Sequence, residues 1–118
     1  MLLQSFVGYS FHNALSTHDA IIGGTLNVCK AVKDYATNTR MYFAATSEMF
    51  SQPKESPQNE NRAFLQRSQY AVSKLVGVWT VTTYRDAYKL YMMNEILFNR
   101  ESEVGGTESI TRKIRWVW

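Results

Sequence analysis

Cysteine occurs once in this 118-residue chain, at Cys29, and proline twice, both within residues 51–62. A single thiol excludes an internal disulfide and any zinc site built from cysteines. It fits a reducing compartment, so a cytoplasmic location is expected. No apolar run approaches the roughly 18 residues that a membrane helix needs, and no membrane association is expected. The opening MLLQSFVGYSF lacks the basic flank of a signal peptide. Charge of one sign is scarce, with 13 Lys+Arg against 10 Asp+Glu and a net charge of +3. The segment TRKIRWVW does interleave Arg112, Lys113 and Arg115 with Trp116 and Trp118. It reads as the start of an amphipathic helix rather than a base-stacking surface, and no nucleic-acid partner is expected. His12 and His18 have no further ligand at a metal-binding spacing, so no metal site is expected. The glycines stand at 8, 23, 24, 77, 105 and 106, which leaves no G-x-G-x-x-G and so no glycine-rich pyrophosphate turn.

What the chain does contain is 45% hydrophobic and 14% aromatic residues along its whole length. That composition suits one packed globular domain and not a disordered tail. Residues 2–7 have the pattern of a short strand. A helix is expected from Thr17, capped by Ser16 or Thr17 with Asp19 in its first turn, and with Ile22, Leu26, Cys29 and Val32 as its apolar face. Gly23 and Gly24 within it point to close backbone packing. Residues 40–46, RMYFAAT, suit a strand covered on both faces. The polar, proline-bearing stretch 51–62 reads as a surface loop. A second helix is expected from about Ser68 to Tyr88, burying Val72, Leu75, Val76 and Trp79. A third strand follows at 91–98, with Met92 and Met93 in its core and Glu95 as a blemish. After a loop over 99–107, a last helix is expected from Glu108. Alternating strands and helices predict a parallel sheet with crossover helices, in which ligands gather beyond the carboxyl ends of the strands. Those ends are Gln4-Ser5, Thr46-Ser47-Glu48 and Asn99-Arg100-Glu101.

Tyr70 and Lys74 stand four apart in SQYAVSK, on one face of the second helix. An ammonium beside a phenol favours the phenolate, and a tyrosine so tuned can exchange a proton with a substrate hydroxyl. A partly buried tyrosine beside a surface lysine is the plainer interpretation of such a pair. Thr46 and Glu48, at a strand end preceding that helix, add a hydroxyl for a substrate oxygen and a carboxylate base. Burial would have to raise the Glu48 pKa for it to serve. Tyr84, Tyr88 and Tyr91 form a run that could face a partner.

The segments QSFVGYSF, GGTLNV, FAATSEMF, RSQYAVSK, NEILFNRES and TRKI, in this order and spacing, closely resemble the GDP-mannose 4,6-dehydratase family of the extended short-chain dehydrogenase/reductases. The resemblance covers nearly the whole chain but corresponds to a middle portion of the family protein. It implies a Rossmann-like parallel sheet lacking the N-terminal glycine-rich βαβ unit, with residues 1–118 forming part of an NADP-binding domain. The implied reaction is a lyase reaction converting GDP-mannose to GDP-4-keto-6-deoxymannose, a step towards fucose and other deoxysugars. Thr46, Glu48, Tyr70 and Lys74 match the catalytic residues. Gln4, Ser5, Lys74 and Arg100 match cofactor-lining positions, with Arg100 in place of a histidine. Thr46, Asn99 and Lys113 match positions on the nucleotide-sugar. In the family pattern Gln69 replaces a proline, Phe50 a tyrosine, Ser16 a cofactor-contacting tyrosine and Gly105 an arginine. The resemblance also implies a homo-oligomer through two long helices. The alternative is a catalytically inactive remnant that acts, if at all, as an interaction module.

Overall fold

The computed structural model describes residues 7–50 and 66–98. Strand β1 spans Met41–Thr46 and strand β2 spans Met92–Leu97. They pair in parallel, Met41 opposite Met92 through Thr46 opposite Leu97. Between them runs the 20-residue helix α4, Gln69–Tyr88, the crossover that parallel strands require. Before β1 lie three short helices: α1 over Val7–His12, α2 over Ala14–His18, and α3 over Gly24–Tyr35. A π-helical turn, Asp19–Gly23, joins α2 to α3. The expected parallel α/β arrangement is therefore present. The strand expected over 2–7 and the last helix lie outside the described residues, except that Val7 already opens α1.

Helix α4 begins where Ser68 Oγ accepts from the Ala71 amide at 3.1 Å, satisfying one of the free amides of the first turn. It ends at Lys89, whose φ of 54° puts a non-glycine residue in the left-handed conformation. Its buried side differs from the expected stripe. Tyr70, Ala71, Ser73, Lys74, Gly77 and Val81 face inward, whereas Val72, Val76 and Trp79 are exposed. Small residues decide this. Gly77 lies against the Phe43 ring so closely that an added Cβ would meet Cε1 and Cε2 at 3.1 Å and Cζ closer still. The helix turns its small side to the strand because that brings its backbone nearest the sheet.

The N-terminal helices depart from expectation for a related reason. The helix starts before Thr17, whose hydroxyl donates back to Asn13 O at 2.9 Å instead of capping. The π turn, which contains Asp19, then rotates the inward face to Ile21, Thr25, Cys29 and Val32. Leu26 is left exposed and Ile22 half-buried. Gly23 and Gly24 have open space around them, so the close approach expected there occurs at Gly77 instead.

One core joins Cys29 and Val32 of α3, Val81 of α4, Phe43 and Ala45 of β1, Met92 of β2, and Met49 and Leu90. Asn94 ties β2 to the crossover helix, donating to Thr82 Oγ1 at 3.0 Å and to Val78 O at 3.3 Å. Only one face of the sheet is covered among the described residues. Tyr42 of β1 and Met93 of β2 point to the other and are 49% and 63% exposed, so neither the doubly covered strand nor a buried Met93 is observed. Glu95 falls on this open face, which accounts for a carboxylate within the strand. The run of tyrosines also divides. Tyr84 packs against the core, Tyr88 lies 5.3 Å from it ring to ring and beneath the Lys33 ammonium, and Tyr91 stands clear in solvent.

Candidate active site

At its carboxyl end β1 passes directly into a 3-10 turn, Ser47–Phe50, anchored by the buried Met49 and Phe50. The turn is closed by a hydrogen bond from the Glu48 amide to Thr46 Oγ1, 3.3 Å long. Thr46 is thereby held at the sheet edge, close enough to the phenol of Tyr70 for its hydroxyl to favour the phenolate. The strand end and the first turn of α4 thus meet at one point, as the reading of Thr46 and Tyr70 requires.

Tyr70 is 8% exposed and Lys74 3%. Three influences act on the phenol. Burial raises its pKa, the negative charge of Glu48 raises it further, and the Thr46 hydrogen bond works in the opposite direction by favouring the phenolate. The net shift is upward. Lys74 does not depress it, contrary to the expectation from the pair's spacing. Its Nζ donates to Ala44 O at 2.7 Å, on the strand beneath, and lies 5.7 Å from the centre of the Tyr70 ring and 5.1 Å from that of Phe43. Burial lowers the Lys74 pKa.

Glu48 is exposed, and its negative charge acts on the Tyr70 phenol. Ser47 is half-buried. The structure therefore brings together Thr46, Glu48, Tyr70 and Lys74. Gln4, Ser5, Asn99, Arg100 and Lys113 lie outside the described residues. Among the described residues no group of three His, Cys, Asp or Glu side chains could hold a metal ion, and no helix is long and apolar enough to cross a membrane.

The sequence around His18 points to no metal site and names no other partner for it. Its imidazole instead bridges α2 to α4, with Nε2 2.9 Å from Oε1 of Gln69 and Nδ1 3.0 Å from Oγ of Ser73. The partners are more than 50 positions away along the chain, so no local pattern could have revealed the contact.

Comparison with known proteins agrees with this geometry. A sequence model described as GDP-mannose 4,6 dehydratase matches residues 3–117. The GDP-mannose 4,6 dehydratase of Drosophila melanogaster is 42% identical over 113 residues, which are 94% of this chain and 29% of that protein. The chain thus spans less than a third of that relative. Among solved structures, the dTDP-glucose 4,6-dehydratase DesIV from Streptomyces venezuelae, with NAD and TYD bound, superimposes with a TM-score of 0.88 at 19% identity. That match covers 96% of this chain and 35% of the other. RMD from Pseudomonas aeruginosa, complexed with NADPH, gives a TM-score of 0.74 at 22% identity over 80% of this chain and 33% of its own. These two likenesses concern the fold. The extent of the sequence match settles the relationship: the chain belongs to the GDP-mannose 4,6-dehydratase family.

Proposed function

We propose that residues 1–118 are the central part of an incomplete NADP-binding Rossmann-like domain, and that they carry the proton-transfer residues of a GDP-mannose 4,6-dehydratase. The observation that supports this best is the convergence of Thr46, Glu48, Tyr70 and Lys74 at the carboxyl end of β1, where a parallel sheet offers its ligand site.

The residues present fit one half of a nicotinamide dinucleotide. Lys74 makes one hydrogen bond among the described residues, to Ala44 O, and an ammonium has three donors, so two remain for ribose hydroxyls. The pyrophosphate half has no glycine-rich turn in this sequence. Bound NADP would supply a hydride acceptor for the substrate carbon and later a donor.

Around it, each side chain has a separate task. Tyr70, as phenolate, takes the proton of the sugar C4 hydroxyl as that carbon becomes a ketone, and Thr46 hydrogen-bonds the same oxygen. The ketone acidifies C5, and Glu48 removes that proton and passes it to the C6 hydroxyl, which leaves as water. With the hydride that NADP would return at C6, the proton that Tyr70 took from the C4 hydroxyl would be delivered to C5, completing the 4-keto-6-deoxy product and restoring the Tyr70 phenolate. Gln4, Ser5 and Arg100 would line the cofactor, and Asn99 and Lys113 would meet the nucleotide-sugar, where a lysine cation suits a diphosphate. The exposed stripe Val72, Val76 and Trp79 on α4 supports homo-oligomer formation through the long helices. A cytoplasmic location fits this reading.

The test is incubation of the chain with NADP and GDP-mannose deuterated at C4. Loss of one water with deuterium appearing at C6, abolished by Tyr70→Phe, is the expected result. Absence of both product and NADP binding would favour the inactive remnant.

A further inference from the structure

His18 touches α4 at two positions, and each is adjacent in sequence to a proton-transfer residue. Gln69 precedes Tyr70, and Ser73 precedes Lys74. The hydrogen-bond inventory of this contact fixes its chemistry. A serine hydroxyl has one proton, and that of Ser73 goes to Gln69 O at 2.7 Å, one helical turn back. Ser73 Oγ can then only accept from His18, so Nδ1 must carry a proton. Nε2 faces the Gln69 amide. A doubly protonated ring donates there to Oε1. A neutral ring accepts there, with the amide turned so that its NH2 points at Nε2, since the two ends of an amide have the same reach. In either case Nδ1 is a donor.

Among the described residues, no backbone hydrogen bond is found between the two helices that the contact joins. Ser73 is fully buried and His18 half-buried, and the clamp spans the first turn of α4, the one that also bears the Ser68 cap. A helix end frays unless something holds it, and a rotation there would carry Tyr70 away from Thr46. We infer that His18 is a positioning residue, held as the Nδ1–H tautomer, that fixes the first turn of α4 and with it the placement of Tyr70 and Lys74 against β1. The functional weight of this placement rests on the reaction proposed above; the clamp itself does not.

Two measurements on the full chain test it. Long-range ¹H–¹⁵N spectra at about pH 8.5, where an imidazole is ordinarily neutral, should show His18 protonated at Nδ1, the tautomer that free histidine disfavours. An Nε2–H ring would overturn the inference. The second uses chain labelled with ¹³C at the tyrosine Cζ, with Tyr70 assigned through Tyr70→Phe. In His18→Ala the Tyr70 titration should move to lower pH, because a loosened first turn admits water to the phenol. An unchanged midpoint in a folded His18→Ala chain would overturn it. A brace without a positioning role would lower the melting temperature and leave the Tyr70 titration where it is. Should His18→Ala not fold, the tautomer of the unsubstituted chain decides alone. Neither measurement involves cofactor or sugar, so a failed turnover assay and a failed clamp are told apart.

Discussion

Burial raises the pKa of Tyr70, and the two groups that act on it oppose each other. Glu48→Gln removes a nearby negative charge and should lower the Tyr70 pKa. Thr46→Val removes a donor that favours the phenolate and should raise it. A ¹³Cζ-tyrosine titration checks both, and movement of both variants in one direction would contradict the arrangement. Lys74 is the costly member of the site. Its pKa is lowered by burial, so in the lysine titration range the unfolded chain binds that proton more readily than the folded one. Stability is therefore lost as pH falls from the ordinary lysine value through the folded one, and stays lost at neutral pH. Lys74→Met should stabilise the fold at neutral pH by on the order of 1 kcal/mol. The gain should shrink towards alkaline pH, as measured by urea unfolding. The same variant should fail to bind NADP. A buried cation that costs stability and has only one hydrogen-bonded partner among the described residues is what a binding function would retain.

Helix α4 shows how an element can be recognised while its orientation is missed. Its extent, and the Ser68 cap, follow from local chemistry that the sequence displays openly. Its inward face does not, because hydropathy ranks Val72, Val76 and Trp79 above Ser73, Lys74 and Gly77. The structure buries the less apolar set, since small side chains allow close approach to β1 and the site needs Tyr70 and Lys74 inside. Gly77→Ala isolates this effect. Alanine favours a helix by about 1 kcal/mol over glycine, but its Cβ would press on the Phe43 ring, itself 2% exposed with little room to yield. Overpacking of this kind costs about 1–3 kcal/mol. The expected net result is a lower midpoint in urea, recovered by the second change Phe43→Leu. A higher midpoint for Gly77→Ala alone would show that the ring gives way.

At the scale of the whole molecule, the described residues form a two-stranded sheet with helices on one face. Apolar surface remains on the other face, at Tyr42 and Met93, and on the outside of α4. The second of these surfaces is the proposed oligomer contact. Light scattering should give a mass above the 13.6 kDa of one chain, and Val76→Glu combined with Trp79→Glu should return it to the monomer value. A monomeric mass for the unsubstituted chain would remove this proposal and leave the site reading intact, because no member of the stripe touches Tyr70 or Thr46 among the interactions found.

What the sequence determined by itself is what nearest neighbours along the chain dictate. The strand over Met41–Thr46, the capped helix behind Tyr70, the parallel order implied by a long crossover, and the Thr46, Glu48, Tyr70 and Lys74 set were all legible. Each is written in short-range periodicity or in a compact motif. Tertiary structure decided the rest. Packing density chose which side of α4 meets the sheet, and a π turn rotated the buried face of the preceding helices. The upward shift of Tyr70, with Lys74 turned to Ala44, comes from burial and charges that only folding assembles. His18 belongs to the same category, since its partners on α4 become neighbours only when two helices distant in sequence are laid side by side.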